Sequence, residues 1–108
     1  MSGKRGRTKG HSFEREIAND LQTIFPNAKR QLEYQIDTCK GIDIANTEGF
    51  AIQCKNRKTY SPVNTIEEIK NAPHEVPVLV TKALRKPAMA VLPWKDLLKL
   101  LEILSDSN

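Results

Sequence analysis

Gly41-Ile42-Asp43-Ile44-Ala45-Asn46-Thr47-Glu48-Gly49-Phe50-Ala51-Ile52-Gln53-Cys54-Lys55 is the stretch whose reading decides the fold. Residues 41–44 and 49–55 both alternate like strands, and a short turn at 46–49 joins them. Successive side chains of a strand project to opposite faces. Ile42 and Ile44 therefore pack one way while Asp43 points the other. In the second strand Phe50, Ile52 and Cys54 share a face, which leaves Ala51, Gln53 and Lys55 on the opposite one. If both apolar faces rest on one core, Asp43, Gln53 and Lys55 converge on a single surface of a hairpin. A carboxylate, an amide oxygen and an ammonium held there can bind a hard cation and steady a phosphate. The plainer alternative is a cross-strand Asp–Lys pair on the solvated face of a half-buried hairpin.

Outward from the hairpin, the pattern predicts an α/β chain in the order αβββαβ, followed by one more strand and one more helix. A first helix over residues 12–25 has Ser12 as its N-cap and Pro26 as its stop. A strand over 28–34 and a loop over 35–40 lead into the hairpin. Thr65-Ile66-Glu67-Glu68 reads as a capping box opening a short helix toward Ala72. The dense apolar run at 76–81 reads as a central strand buried on both faces, and residues 88–92 as a further strand. Pro93 then starts a helix running to about residue 104. No internal repeat and no long linker divides the chain, so residues 11–105 are expected to form one domain behind a flexible basic arm at 1–10.

Placed at helical intervals, Phe13, Ile17, Leu21, Ile24 and Phe25 define one apolar stripe roughly 120° wide. Ala18 lies just beyond its edge. Glu14 falls inside the stripe, whereas Arg15, Glu16 and Asp20 fall outside it or at its border. A carboxylate on a packing face is expensive unless something pairs with it. A salt bridge, a helix N-terminus or a metal site would each account for it. In the last helix, Trp94, Leu97, Leu98, Leu101 and Leu104 make one face, expected to be a core stripe, while Leu100 and Ile103 lie off it and suggest a subunit interface.

With 108 residues, 39% hydrophobic and 28% charged, the chain suits a single soluble globular domain. No apolar run is long enough to cross a bilayer, and the basic N-terminus has no apolar segment behind it, so a cytoplasmic protein is expected. Cys39 and Cys54 lack metal-ligand spacing and read as free thiols, with no zinc site. The net charge of +4 is unevenly placed. Lys4, Arg5, Arg7 and Lys9 crowd the first ten residues, and Lys29, Arg30, Arg57 and Lys58 sit near strand ends, with Lys82, Arg85 and Lys86 further on. The plainer alternative is that this excess serves solubility alone. The first eight of these are the expected contacts to a polyanion, best read as nucleic acid.

Lys9-Gly10, Glu14-Arg15-Glu16, Gly41-Ile42-Asp43 and Gln53-Cys54-Lys55, followed by a helix and a buried strand, resemble in order and placement the PD-(D/E)XK nuclease superfamily. Within it the likeness is to the small archaeal-type and phage-encoded Holliday junction resolvases, over residues 10–94. The resemblance implies a restriction-endonuclease-like αβββαβ core with a mixed central sheet flanked by helices. It also implies a homodimer that cleaves branched, four-way-junction DNA with Mg²⁺, or Mn²⁺ in its place. The implied products carry a 5′-phosphate and a 3′-hydroxyl, with no small-molecule cofactor and no membrane. A phage-encoded member would act in its host's cytoplasm. By the same resemblance Glu14, Asp43, Gln53 and Lys55 form the catalytic set. Asp43, Gln53, Glu14 and the backbone carbonyl of Cys54 would be the metal ligands. Gln53 departs from the family, which usually carries Asp or Glu there; an amide oxygen ligates Mg²⁺ without adding charge, so Glu14 would carry more of the balance. The alternatives are a less selective endonuclease or nickase in repair or restriction, and a cleavage-deficient DNA-binding module of the same fold.

Overall fold

Among the described side chains, Phe13, Ile17 and Ala18 are the buried positions of a long first helix, α1 (Ser2–Leu21). The structure, a computed structural model, describes residues 2–31, 42–56, 61–69, 71–83 and 85–106, with backbone alone for 2–11. Ser12, expected as the N-cap, is an interior residue, and the backbone of 2–10 is helical where a flexible arm was expected. The packed turns supply the nucleus, so each residue added toward the N-terminus gains a backbone bond without a second nucleation step, and Lys and Arg are good helix formers. The helix also stops earlier than expected. Ile24 and Phe25 both donate their N–H groups to Leu21 O, at 3.0 and 2.7 Å, in a tight turn that ends the ladder before Pro26. This leaves Ile24 71% exposed, outside the stripe, while the Phe25 ring tilts against Phe50 at 6.3 Å.

Five strands form one mixed sheet in the order β1 (Lys29–Arg30), β2 (Ile44–Ala45), β3 (Phe50–Lys55), β4 (Val76–Thr81) and β5 (Met89–Val91). The first three are antiparallel neighbours, with Arg30 opposite Ile44 and Ile44 opposite Ile52. The crossover through α2 (Pro62–Glu67) makes β4 parallel to β3, with Ile52 opposite Val78 and Lys55 opposite Thr81. β5 returns antiparallel on β4. β1 is shorter than the strand expected at 28–34, of which 32–34 lie outside the described residues, as does the expected loop at 35–40.

The hairpin turn needs two left-handed residues, Asn46 at φ 64° and Gly49 at φ 83°. Asn46 anchors itself by donating from Nδ2 to Asn27 O at 2.9 Å, and the buried Thr47 hydroxyl donates to Phe50 O at 2.9 Å. A Cβ at Gly49 would meet nothing within 4 Å, so Gly49→Ala carries only the backbone penalty. Urea unfolding should show a loss of about 1 kcal/mol with an unchanged m-value.

Ile44, Ile52, Val78 and Ala28 pack with Phe13, Ile17 and Ala18, so α1 covers one face of the sheet. Alternation sends Ala51 and Leu79 to the reverse face, where both are fully buried. β3 and β4 are therefore buried on both sides, as expected for residues 76–81, but β3 holds the middle of the sheet. The second helix begins earlier than the Thr65 box. Ser61 is the N-cap, accepting from Asn64 N at 3.3 Å, and Pro62 takes the first helical position, where its missing N–H costs nothing. Thr65 is buried inside α2 and donates from its hydroxyl to Ser61 O at 2.7 Å.

The last helix, α3 (Trp94–Asp106), departs most from expectation. Its expected core stripe is exposed at Trp94 (67%), Leu98 and Leu101 (47% each) and Leu104 (63%), with Leu97 half-buried, and its one buried side chain is Asp96. Among the described residues no helix is long and apolar enough to cross a membrane.

Candidate metal and phosphate site

Asp43 sits where the hairpin ladder is irregular. Its N–H donates to Ile52 O at 2.8 Å although Ile44 is the residue in register with Ile52. Two successive residues of one strand thus address a single partner, as in a β-bulge, and a bulge re-aims a side chain out of strict alternation. Asp43 Oδ2 accepts the backbone N–H of Cys54 at 2.8 Å. On the other side, the Asp43 carbonyl accepts the N–H of Gln31 at 2.7 Å.

The carboxyl of Asp43 is pushed up from 3.8 to about 6. Burial is the largest cause, and the negative charge of Glu14 adds to it. The Cys54 N–H and the Lys55 ammonium pull the other way. Asp43, Glu14 and Lys55 therefore share one electrostatic neighbourhood at the end of β3, under the first turns of the packed part of α1. The Cys54 thiol lies in the same place. Burial and then the charges of Asp43 and Glu14 push it far up, so it stays protonated and is no nucleophile.

Glu14 owes its place on the apolar stripe to a partner on β1: Arg30 Nε donates to Glu14 Oε2 at 3.3 Å, both side chains half-buried. Arg30, also an expected DNA contact, is the counter-charge of Glu14, because β1 runs under α1 and brings the two together. The salt-bridge explanation for Glu14 was open in the sequence, but its partner, 16 residues away, was not legible. A second pair, Lys82 Nζ to Glu16 Oε1 at 3.4 Å, ties the end of β4 to the same helix. Lys29 is exposed on β1. Arg57 and Lys58 lie outside the described residues, as do the side chains of Lys4, Arg5, Arg7 and Lys9.

Gln53 is not on a polar surface. It is 8% exposed in the middle strand, and its Oε1 is buried with no hydrogen-bond partner among the described residues. By alternation it lies with Ala51 and Lys55 on the face opposite Ile52 and Cys54. The expectation treated the hairpin as half-buried; pairing with β4 and burial of both faces of β3 removed the outer surface on which Gln53 was to sit.

Mg²⁺ takes oxygen ligands and needs only one or two carboxylates beside its waters. Asp43 and Glu14 fit that demand, since the negative charge of Glu14 adds to the raised proton affinity of Asp43, and a cation relieves that repulsion. One oxygen of each is already committed, to the Cys54 N–H and to Arg30. Among the described residues no three His, Cys, Asp or Glu side chains gather as a group. The orphaned Gln53 oxygen fits a cation chemically but is set on the other strand face. A cleft of about 320 Å³ lined by Ser12, Glu16, Asn56, Lys82 and Arg85 flanks this region, Asn56 directly following Lys55. The larger cleft, about 590 Å³, lies at the hairpin turn among Ile42, Asn46, Phe50 and Glu75 and includes none of the four site residues. Of the expected set, Asp43 feels the charge of Glu14 and, more weakly, that of Lys55, while alternation sets Lys55 with Gln53 on the face opposite Cys54. No family model matches the chain, and no curated protein or solved structure matches it.

Proposed function

We propose that this chain is a divalent-cation-dependent endodeoxyribonuclease with a restriction-endonuclease-like core, cutting branched DNA such as a four-way junction. The observation that carries this reading is the electrostatic influence of Glu14 and Lys55 on Asp43, at a break in the hairpin ladder that re-aims the Asp43 side chain. Element order and pairing support it: a helix, three antiparallel strands, and a crossover helix that makes the fourth strand parallel to the third.

In this reading the chain's own groups have separate tasks. The Cys54 N–H fixes the Asp43 carboxylate in one orientation, and Arg30 does the same for Glu14. Lys55, at the last position of β3, presents a positive charge toward the phosphodiester, where it either orients the attacking water or offsets charge that grows as the P–O bond breaks. Mg²⁺, when held by Asp43 and Glu14, supplies a lowered water pKa and neutralises phosphate charge. Lys29 and the basic residues of the chain contribute non-specific, salt-dependent attraction to the backbone.

A second reading, a DNA-binding module without cleavage, is favoured by one observation: Arg30 already neutralises Glu14. Cleavage of a labelled four-way junction, a matched duplex and a single strand in Mg²⁺ separates the readings. Paired cuts confined to the junction support the proposal, and equal cutting of the duplex points to a less selective nuclease. Binding without cutting in both Mg²⁺ and Mn²⁺ removes the enzyme.

Gln53→Glu tests the ligand role of that position. A new carboxylate on a buried, orphaned site should cost the metal-free protein about 1–3 kcal/mol or more in denaturant unfolding. Mg²⁺ should recover that loss if position 53 reaches the cation, and should leave it unchanged if strand alternation keeps the position on the far face.

A further inference from the structure

We propose that α3 is the surface through which two copies of this chain pair, antiparallel across a two-fold axis. At 100° per residue, Trp94, Leu98 and Leu101 fall within a sector of roughly 60°. All three are exposed, and the helix makes only sparse contact with the other elements among the described residues. Together they leave on the order of 300 Å² of apolar surface in water, the scale of patches that mark interfaces on soluble proteins.

The charges beside this stripe choose the occupant. Lys95, Lys99, Glu102 and Asp106 occupy one flank of α3, basic in its N-terminal half and acidic in its C-terminal half. That order opposes the helix dipole, which favours acid at the start and base at the end. It makes sense against an antiparallel copy of itself. Two helices crossing near Leu98 and Leu101 bring the same flank of each together in reverse order. Lys95 and Lys99 of one copy then lie alongside Glu102 and Asp106 of the other, and symmetry makes each pair twice. A parallel copy would set this flank against the opposite flank of its partner, where Leu97 and Leu104 lie, and leave the charges unpaired. A lipid surface would want basic residues along the whole polar face, and half of this flank is acidic.

The nuclease resemblance also implies a homodimer, but the surface proposed rests on α3 alone and is read by mass rather than by cutting. Sedimentation equilibrium of the full chain at low micromolar concentration should give a dimer in low salt. Leu98→Glu with Leu101→Glu should give a monomer with an unchanged far-UV circular dichroism spectrum. Lys95→Glu with Lys99→Glu should weaken the dimer by about tenfold or more, since four pairs turn repulsive. Adding Glu102→Lys and Asp106→Lys to that variant should restore wild-type association. A monomeric wild type, a dimer that survives the leucine substitutions, or a charge swap that fails to restore pairing overturns it.

Discussion

Asp43→Asn should lower junction cleavage by about 10³-fold, the scale lost when a charge-positioning group is removed from a phosphoryl-transfer site, and leave junction binding within a few-fold. It should also make the metal-free protein more stable at neutral pH. The Asp43 carboxyl is pushed up from 3.8 to about 6, chiefly by burial and next by Glu14. Between those values the folded state holds a proton that the unfolded state has lost. The stability contributed by that proton is full below 3.8 and is lost as pH rises through 6. Above pH 6 the ionised carboxylate is a burden of about 1–3 kcal/mol. Asparagine removes the charge and can still accept the Cys54 N–H. Urea midpoints should therefore favour the variant at pH 7.5 and converge with wild type near pH 4. Identical midpoints at both pH values would mean that Asp43 carries no such burden. Lys55→Ala should match the loss of cutting without the gain in stability.

Leu79→Ala should be the most damaging single truncation in the core. Leu79 is fully buried, on the face of β4 opposite Val78, and its neighbours in register are Gln53 on β3 and Val91 on β5. Removing a leucine side chain from such a position costs about 2–5 kcal/mol in lost transfer and cavity terms. For a domain of this size that corresponds to a melting temperature lower by about 10–20 °C or more. Differential scanning calorimetry checks it. A shift of only a few degrees would mean that the reverse face of the sheet is not a packed layer.

How much of this was legible in the chain depends on whether the deciding interaction is local. β3 and β4 were readable because their own side chains alternate or run apolar over six residues each. The hairpin turn was readable because Asn46 and Gly49 both suit left-handed backbone. The boundaries of α1 were not, because its start is set by propagation from packed turns and its stop by a tight turn at Leu21. Glu14 was visibly out of place on an apolar stripe, and the structure confirms that it needed a partner. That the partner is Arg30 depends on β1 running under α1, which no local spacing reveals. Gln53 failed for a related reason: alternation assigned its face correctly, but whether that face is wet is decided by β4, 26 residues away in register. The same holds for α3, whose stripe is as regular as that of a core helix. Periodicity says that a face is apolar, not what packs against it.

The central claim is that Asp43 and Glu14 together hold a divalent cation. Isothermal titration calorimetry of the DNA-free chain with Mg²⁺ at pH 7.5, on wild type, Asp43→Asn, Glu14→Gln and Lys55→Ala, tests it most directly. Binding by wild type and by Lys55→Ala, with loss of binding in both carboxylate variants, is the result expected. Absence of binding to wild type, or Asp43→Asn binding as wild type does, would contradict it.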